Sequence, residues 1–474
     1  MINPFNYFFL QDSIPRYPTW EKDIHFLEDP EYVVIPLEYP GRILYKPTIK
    51  IGEQVYQKQI IGRSSLGHCI HASVSGVVKD ILAIWTARSF HVPAILIHRN
   101  DKKAISVQEI FEQAGFAFES TNPVDKLKIL GVISPWNRPG RWQEEADKSF
   151  PEVKKIVIKG LDEEPSIFLN GLIIQNYTIK ISRGLSYLSN LAPRAEIILA
   201  VSNHNRTWAT DQFGSLAKVQ GIGQNYKDRI SQLMVSKLTE TNIPTISAYR
   251  AHGIAVLSAE YLLNLVDALD GKSPFIHKFL TVAGSEMNEP KTIKIPIGMT
   301  IRQVLKALNI SDKTFGRILV GGPMQGIAQY TDLTPLTKTS HGLYLMSQQE
   351  LPLETNLTCT SCGRCTRMCP VNMQVHLVGR YAEYGMFTDT TAYHTEACVE
   401  CGLCGFVCPA HRPLIQLIQM CKKYCGITNE YPQQQAECGA TSALERWELN
   451  FQNAASLDSG AAAGNTHESV AVRT

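Results

Sequence analysis

No run of 18 uninterrupted apolar residues occurs in this 474-residue sequence, so no segment is read as a membrane-crossing helix. The opening MINPFNYFFLQDSIPRYPTW lacks a basic stretch, an apolar stretch and a small-residue cleavage site in succession, so no signal peptide is read. Neither charge dominates. The 46 Lys and Arg against 44 Asp and Glu leave a net of +2, without the basic excess of a nucleic-acid-binding protein. Cysteine is nearly absent from the first 358 residues, where Cys69 stands alone, which excludes a disulfide framework spread through a small domain. The expectation is a cytoplasmic chain, or one held on the inner face of the cell membrane through partner subunits. Its length calls for several domains, and 44% apolar with 19% charged residues is an ordinary globular balance.

What is present is concentrated late in the chain. Eleven of the twelve cysteines lie between Cys359 and Cys438. Cys359, Cys362, Cys365 and Cys369 form C-x2-C-x2-C-x3-C followed by Pro370, and Cys398, Cys401, Cys404 and Cys408 repeat it before Pro409. Two-residue gaps let three thiolates of one loop converge on a single cubane, while the fourth faces the other cluster. The spacing therefore assigns Cys359, Cys362, Cys365 and Cys408 to one [4Fe–4S] cluster, and Cys398, Cys401, Cys404 and Cys369 to a second. Structural zinc prefers paired C-x2-C units separated by a longer spacer, which fits less well. Gly363, Gly402 and Gly405 are expected to bring backbone close to the sulfides. Arg364, Arg367 and Arg380 are expected to raise the potential of the first cluster, and Glu400 to lower that of the second. Cys421, Cys425 and Cys438 supply no consistent further ligand set, and Cys69 reads as a small core residue. His68 and His71 flank Cys69 without metal-ligand spacing.

The first hundred residues read as short strands between turns. The stretch IKIGEQVYQKQIIG followed by HASVSGVVKDI resembles the barrel-sandwich hybrid of lipoyl and biotinyl domains. The tip-like segment Ala72-Ser73-Val74 has no lysine to modify. In the middle, KKIVIKG and AEIILAVSN read as buried parallel strands flanking a helix, the grammar of a β-α-β unit. Further on, a strand, a turn and a helix led by Thr300 resemble a β-grasp module of the SLBB type. The run GGPMQG, with Gly321, Gly322 and Gly326, reads as a structural turn rather than a phosphate cradle.

In order, these segments resemble the RnfC family, the C component of the Rnf electron-transport complex, most specifically over 317–425. The fold expected is multidomain α/β plus β. It comprises a lipoyl-like barrel-sandwich hybrid (25–105), a Rossmann-like α/β domain (106–275), an SLBB-type β-grasp module (276–345), an α-helical dicluster ferredoxin domain (346–428) and a disordered tail (450–474). The resemblance implies a subunit that docks on a membrane complex, oxidises NADH at an FMN and feeds electrons through its clusters. One departure stands against the last implication. The family's glycine-rich flavin-phosphate loop corresponds here to residues 112–147, where Gly115, Gly131 and Gly140 are dispersed, and Trp136, Arg138, Arg141 and Trp142 add bulk. The acidic segment retains Asp162, Glu164 and Pro165, and only Gly221-Ile222-Gly223 stands near the family's Y-P-Q-G place. FMN and NADH are therefore not expected, no catalytic residue is assigned, and the chain reads as an electron relay between other redox subunits. The alternatives are an NADH:acceptor oxidoreductase subunit with an altered flavin pocket and a microcompartment cobalamin reductase.

Overall fold

The computed structural model describes residues 23–39, 43–87, 92–132, 153–241, 249, 252–285, 287–310, 314–351 and 357–425. Gly140, Trp136, Arg138, Arg141, Trp142, Cys438 and the expected tail lie outside the described residues.

The N-terminal unit is two four-stranded antiparallel sheets. One runs in the order Tyr32–Pro36, Val92–Arg99, Gly76–Ile84, Gln54–Val55, and the other in the order Glu38–Tyr39, Ile43–Pro47, Ile60–Ser64, Cys69–His71. Val33, Ile35, Val55, Ile61, Val78, Ile95 and Ile97 from both sheets close one core between them. The segment where a lipoyl domain would carry its lysine is buried. The Ser73 hydroxyl donates to the Ile297 carbonyl at 2.6 Å, so this tip is a joint with the third unit. Strand Ile24–Phe26 overlaps the start of the range expected for the sandwich, yet it pairs in parallel with Lys291–Pro296 of the third unit. An edge left open there gains backbone partners from the chain's own N-terminal segment.

The second unit holds four parallel strands in the order Lys218–Ile222, Glu196–Ser202, Lys155–Lys159, Ile254–Ser258. Their centres are near-continuous apolar runs because helices cover both faces. Helices Thr178–Leu191 and Ala259–Leu269 pack together over Ile156, Ile158 and Leu199. The Ser258 hydroxyl accepts the Tyr261 amide at 3.1 Å and starts the second of these helices.

The third unit is a six-stranded mixed sheet in the order Ile24–Phe26, Lys291–Pro296, His277–Gly284, Gly342–Met346, Arg317–Val320, Ile327–Ala328. Helix Ile301–Ala307 lies across it through Ile301, Val304 and Leu305. Its start is a capping box. The Thr300 hydroxyl accepts the Gln303 amide, and the Gln303 side chain accepts the Thr300 amide at 2.9 Å.

The last unit is two copies of one short motif. Helices Arg364–Met368 and Val375–Glu383 are repeated by Leu403–Phe406 and Leu414–Tyr424. Val375, Val378, Ala382, Leu414, Ile418 and Cys421 pack the longer helices together. Among the described residues no helix is long and apolar enough to cross a membrane.

Candidate iron–sulfur centre

The repeat extends to backbone conformations that side chains rarely adopt. Ser361 and Glu400, each following the first cysteine of its loop by two residues, both sit at φ 54°. Gly363 and Gly402 hold 70° and 80°, and Asn372 and His411, three residues past the fourth cysteines, hold 55° and 45°. Non-glycine residues reach the left-handed region at a cost of about 1 kcal/mol or more each. Two loops bearing the same strain at the same places are shaped for the same guest.

That shaping aims backbone N–H groups at the sulfurs. The Arg364 amide faces the sulfur of Cys362 and the Leu403 amide that of Cys401. The Thr366 amide faces Cys365 and the Gly405 amide Cys404, while the Glu400 amide reaches the Cys398 sulfur at 3.4 Å. N–H donors to thiolate sulfur stabilise the charged form and set cluster potentials.

The thiols fall into two neighbourhoods. Burial pushes the Cys365 thiol up, and Cys408 and Cys359 push it further. Burial pushes Cys404 well up, and Cys398, Cys401 and Cys369 add to it. Cys401 likewise feels Cys369, and burial holds Cys398 up at about 12. Thus Cys369 stands with the second loop and Cys408 with the first. Cys362 is exposed, whereas Cys369, Cys401 and Cys404 are buried. Buried thiols that repel one another are held as thiolates only by a positive centre among them. Two sets of thiols, each in a loop that aims N–H groups at the sulfurs, make a donor set that fits iron–sulfur clusters. Cys421 is buried in the helix packing, and Cys425 donates to the Phe387 carbonyl at 3.2 Å, so neither joins these sets.

Each loop has a cation donating to a ligand carbonyl. Arg367 reaches the Cys362 carbonyl at 3.0 Å on the exposed side. Lys422, buried, reaches the Cys398 carbonyl at 2.6 Å and Glu400 at 2.7 Å. The Glu400 charge, expected to lower the potential of the second cluster, is thus offset by an ammonium at its side. Lys422 escaped the sequence reading because it lies 24 residues beyond Cys398, on another helix. Arg380 is exposed on its helix.

The second loop is seated on the rest of the protein. Gly402 packs on the Met324 carbonyl, where a Cβ would come within 2.2 Å. The Tyr226 hydroxyl donates to the Cys401 carbonyl at 2.7 Å and accepts from Gln325 Nε2 at 3.0 Å. The GGPMQG turn is held in turn by Glu164, which accepts the Met324 and Gln325 amides at 2.9 and 2.6 Å. A carboxylate of the chain itself takes the amides that a phosphate cradle would offer. Burial pushes the Glu164 carboxyl up to about 7, the two amides pull it down, and Glu163 pushes it up again.

The acidic segment fills a second anion position. Asp162 accepts the Leu169 amide at 2.9 Å, and both the amide and side chain of Asn170, at the start of helix Asn170–Asn176. Asn170 Oδ1 accepts the Ala259 amide at 3.1 Å. These groups sit at the carboxyl ends of strands Lys155–Lys159 and Ile254–Ser258, the crevice where open α/β sheets bind ligands. Gly221 and Gly223 pack against Asn203 and Asp228 rather than forming a cradle.

Where the first three units meet, Lys338 is buried. Its ammonium donates to the Gly131 carbonyl at 2.8 Å and lies over the Phe275 ring. Gly131, at φ 67°, leaves no room for a Cβ beside the Cys69 carbonyl and Lys338. Cys69 and both flanking histidines are buried here, and burial holds His71 well below its usual range. Burial also pushes Lys338 down to about 7, with Cys69 opposing. The folded value lies below the unfolded one, so the unfolded chain binds the extra proton between the two. Stability from this group therefore rises with pH across that window, and the penalty is full below it. Lys338→Met keeps the volume and removes the buried charge. It is expected to raise the melting temperature at pH 6, by about 2 kcal/mol of stability, and to lose that advantage by pH 10. Thermal melts of both proteins at the two pH values check this.

Fold and site together define a multidomain iron–sulfur protein of the dicluster ferredoxin type. Residues 15–103 match the family model of the RnfC barrel sandwich hybrid domain, and residues 358–411 match that of the 4Fe-4S dicluster domain. The chain is 22% identical over 416 residues to the C component of the Na(+)-translocating ferredoxin:NAD(+) oxidoreductase complex of Acetobacterium woodii, covering 85% of this chain and 93% of that one. It is 25% identical over 430 residues to the C component of the ion-translocating oxidoreductase complex of Methanosarcina acetivorans, covering 83% and 92%. The chain is thus similar to RnfC-type C components along most of its length, and its N-terminal unit matches the RnfC barrel sandwich hybrid domain. A solved NAD+-reducing [NiFe]-hydrogenase is 15% identical at a TM-score of 0.36, covering 73% of this chain and 60% of that one.

Proposed function

We propose that this chain is an iron–sulfur electron-transfer subunit of a multisubunit redox complex, and that it relays electrons between partner subunits through two [4Fe–4S] clusters. The observation that carries this is the exchange of fourth cysteines, Cys408 near the first loop and Cys369 near the second. Cys359, Cys362, Cys365 and Cys408 would hold one cluster; Cys398, Cys401, Cys404 and Cys369 would hold the other. The clusters supply one-electron storage when bound. The protein's part is to fix their spacing, aim N–H donors at their sulfurs and keep water from the inner one. Exposed Cys362 makes the first cluster the one nearer to partners, and buried Cys401 and Cys404 make the second the inner one. The middle units read as a Rossmann-like domain and an SLBB-type module.

The domain that resembles a flavin and nicotinamide site is read as having lost it. Asp162 and Glu164 already take the amides at a helix start and a glycine turn, so these groups are satisfied by the chain's own carboxylates. The relatives' names place them in ion-translocating complexes, and we assign this chain to a like assembly, peripheral on the cytoplasmic side of a membrane through other subunits. Anaerobic purification followed by iron and sulfide analysis and EPR tests the relay. The expected content is about eight iron atoms, four per cluster, with both clusters reduced by a one-electron donor. About four iron atoms, or zinc in their place, would sink it.

A further inference from the structure

The second cluster's loop is tied to the parallel-sheet unit by a line of polar groups. Tyr226 stands on a short turn of helix, Tyr226–Arg229, just beyond strand Lys218–Ile222. Its hydroxyl, mostly buried, gives its proton to the Cys401 carbonyl at 2.7 Å. The same oxygen accepts from Gln325 Nε2 at 3.0 Å. The Gln325 amide donates to Glu164 at 2.6 Å, and Glu164 is buried. Gln325 and Glu164 are 161 residues apart in sequence, and Tyr226 and Cys401 are 175 apart. The first loop has no counterpart to this line among the contacts of the described residues: its carbonyl partner is the exposed Arg367.

Two effects of opposite sign reach the cluster along this line. The Tyr226 hydroxyl points the positive end of its dipole at a ligand carbonyl, which favours the more negative, reduced cluster. Glu164 brings a buried carboxylate toward the same loop, which disfavours it. Both act in a water-poor setting, where fixed charges and dipoles weigh more.

We propose that Tyr226, Gln325 and Glu164 are positioning residues of the second cluster, and that through them the parallel-sheet unit sets that cluster's potential independently of the first. The inference rests on the two-cluster reading above. It goes beyond that reading by naming residues outside the cysteine motifs, in other units of the chain, that separate the two potentials.

Potentiometric EPR on the full chain at pH 8, with Tyr226→Phe and Glu164→Gln beside the unaltered protein, tests it. Tyr226→Phe keeps the ring and removes the donor; one midpoint is expected to fall and the other to stay. Glu164→Gln removes the charge and keeps the size; the same midpoint is expected to rise. A merely structural role would move both variants in one direction or lose iron from both. Full iron content with unmoved midpoints, or equal shifts of both clusters, overturns the inference and leaves the relay standing. If either variant assembles poorly, Gln325→Glu and Gln325→Leu provide the second measurement. Gln325→Leu removes the donor to Tyr226 and is expected to move only the same midpoint; no movement in a fully loaded protein again overturns it. If the unaltered protein holds only one cluster, the two-cluster reading itself fails.

Discussion

Cys408→Ala will empty the cluster of the other loop. Cys408 belongs in sequence to the motif that begins at Cys398, yet its thiol stands with Cys365 and Cys359. Its removal leaves the Cys359, Cys362 and Cys365 thiolates with an open corner, so their cluster is lost. The set of Cys369, Cys398, Cys401 and Cys404 keeps its four ligands. Iron is expected to fall from about eight to about four atoms, and the remaining EPR signal to be that of the inner cluster. The mirror substitution, Cys369→Ala, is expected to remove the inner signal instead. Ligation within each motif predicts the reverse pairing of substitution and signal, so the two experiments together decide the matter.

The second large effect is expected at Gly402, with its twin in the repeat as control. Both Gly363 and Gly402 hold left-handed backbone, so alanine at either costs about 1 kcal/mol from conformation alone. Their surroundings differ. A Cβ at Gly363 meets only the end of the Arg367 side chain, at 3.0 Å, which can swing away. A Cβ at Gly402 would lie 2.2 Å from the Met324 carbonyl oxygen, in backbone that Glu164 holds through two amides. Gly402→Ala must therefore lift the inner loop off its seat, opening the second cluster to water. Gly363→Ala is expected to retain both clusters. Gly402→Ala is expected to lose the inner cluster on brief exposure to air, at least tenfold faster than the unaltered protein. Decay of the cluster absorbance under air measures this, and equal decay of the two variants would contradict it.

The cysteine spacing made the cluster loops legible because ligation is local: a dozen residues contain most of what a cubane needs. The exchange of Cys369 and Cys408 was expected from the same spacing, and the two alanine substitutions above are its test. Strands such as Lys155–Lys159 and the helix led by Thr300 followed from patterns of two to five residues. What was hidden is the long-range seating of the site. Nothing near GGPMQG announces that Glu164 will occupy its amides, and nothing near Cys401 points to Tyr226. The strained positions at Ser361 and Glu400 were hidden because these residue types give no sign of left-handed backbone, as glycine does. Strand Ile24–Phe26 was read with the sandwich that follows it, though its partner, Lys291–Pro296, lies far along the chain. The histidines beside Cys69 looked incidental; their burial with Lys338 depends on three units meeting.

In the relay proposed above, electrons enter and leave this chain through partners rather than through a nicotinamide and flavin of its own. Anaerobically purified protein, assayed for released flavin and then titrated with NADH while the cluster absorbance is followed, tests it most directly. A relay gives no stoichiometric flavin and no bleaching by NADH, with full bleaching by a one-electron donor. One flavin per chain together with cluster reduction by NADH would contradict it.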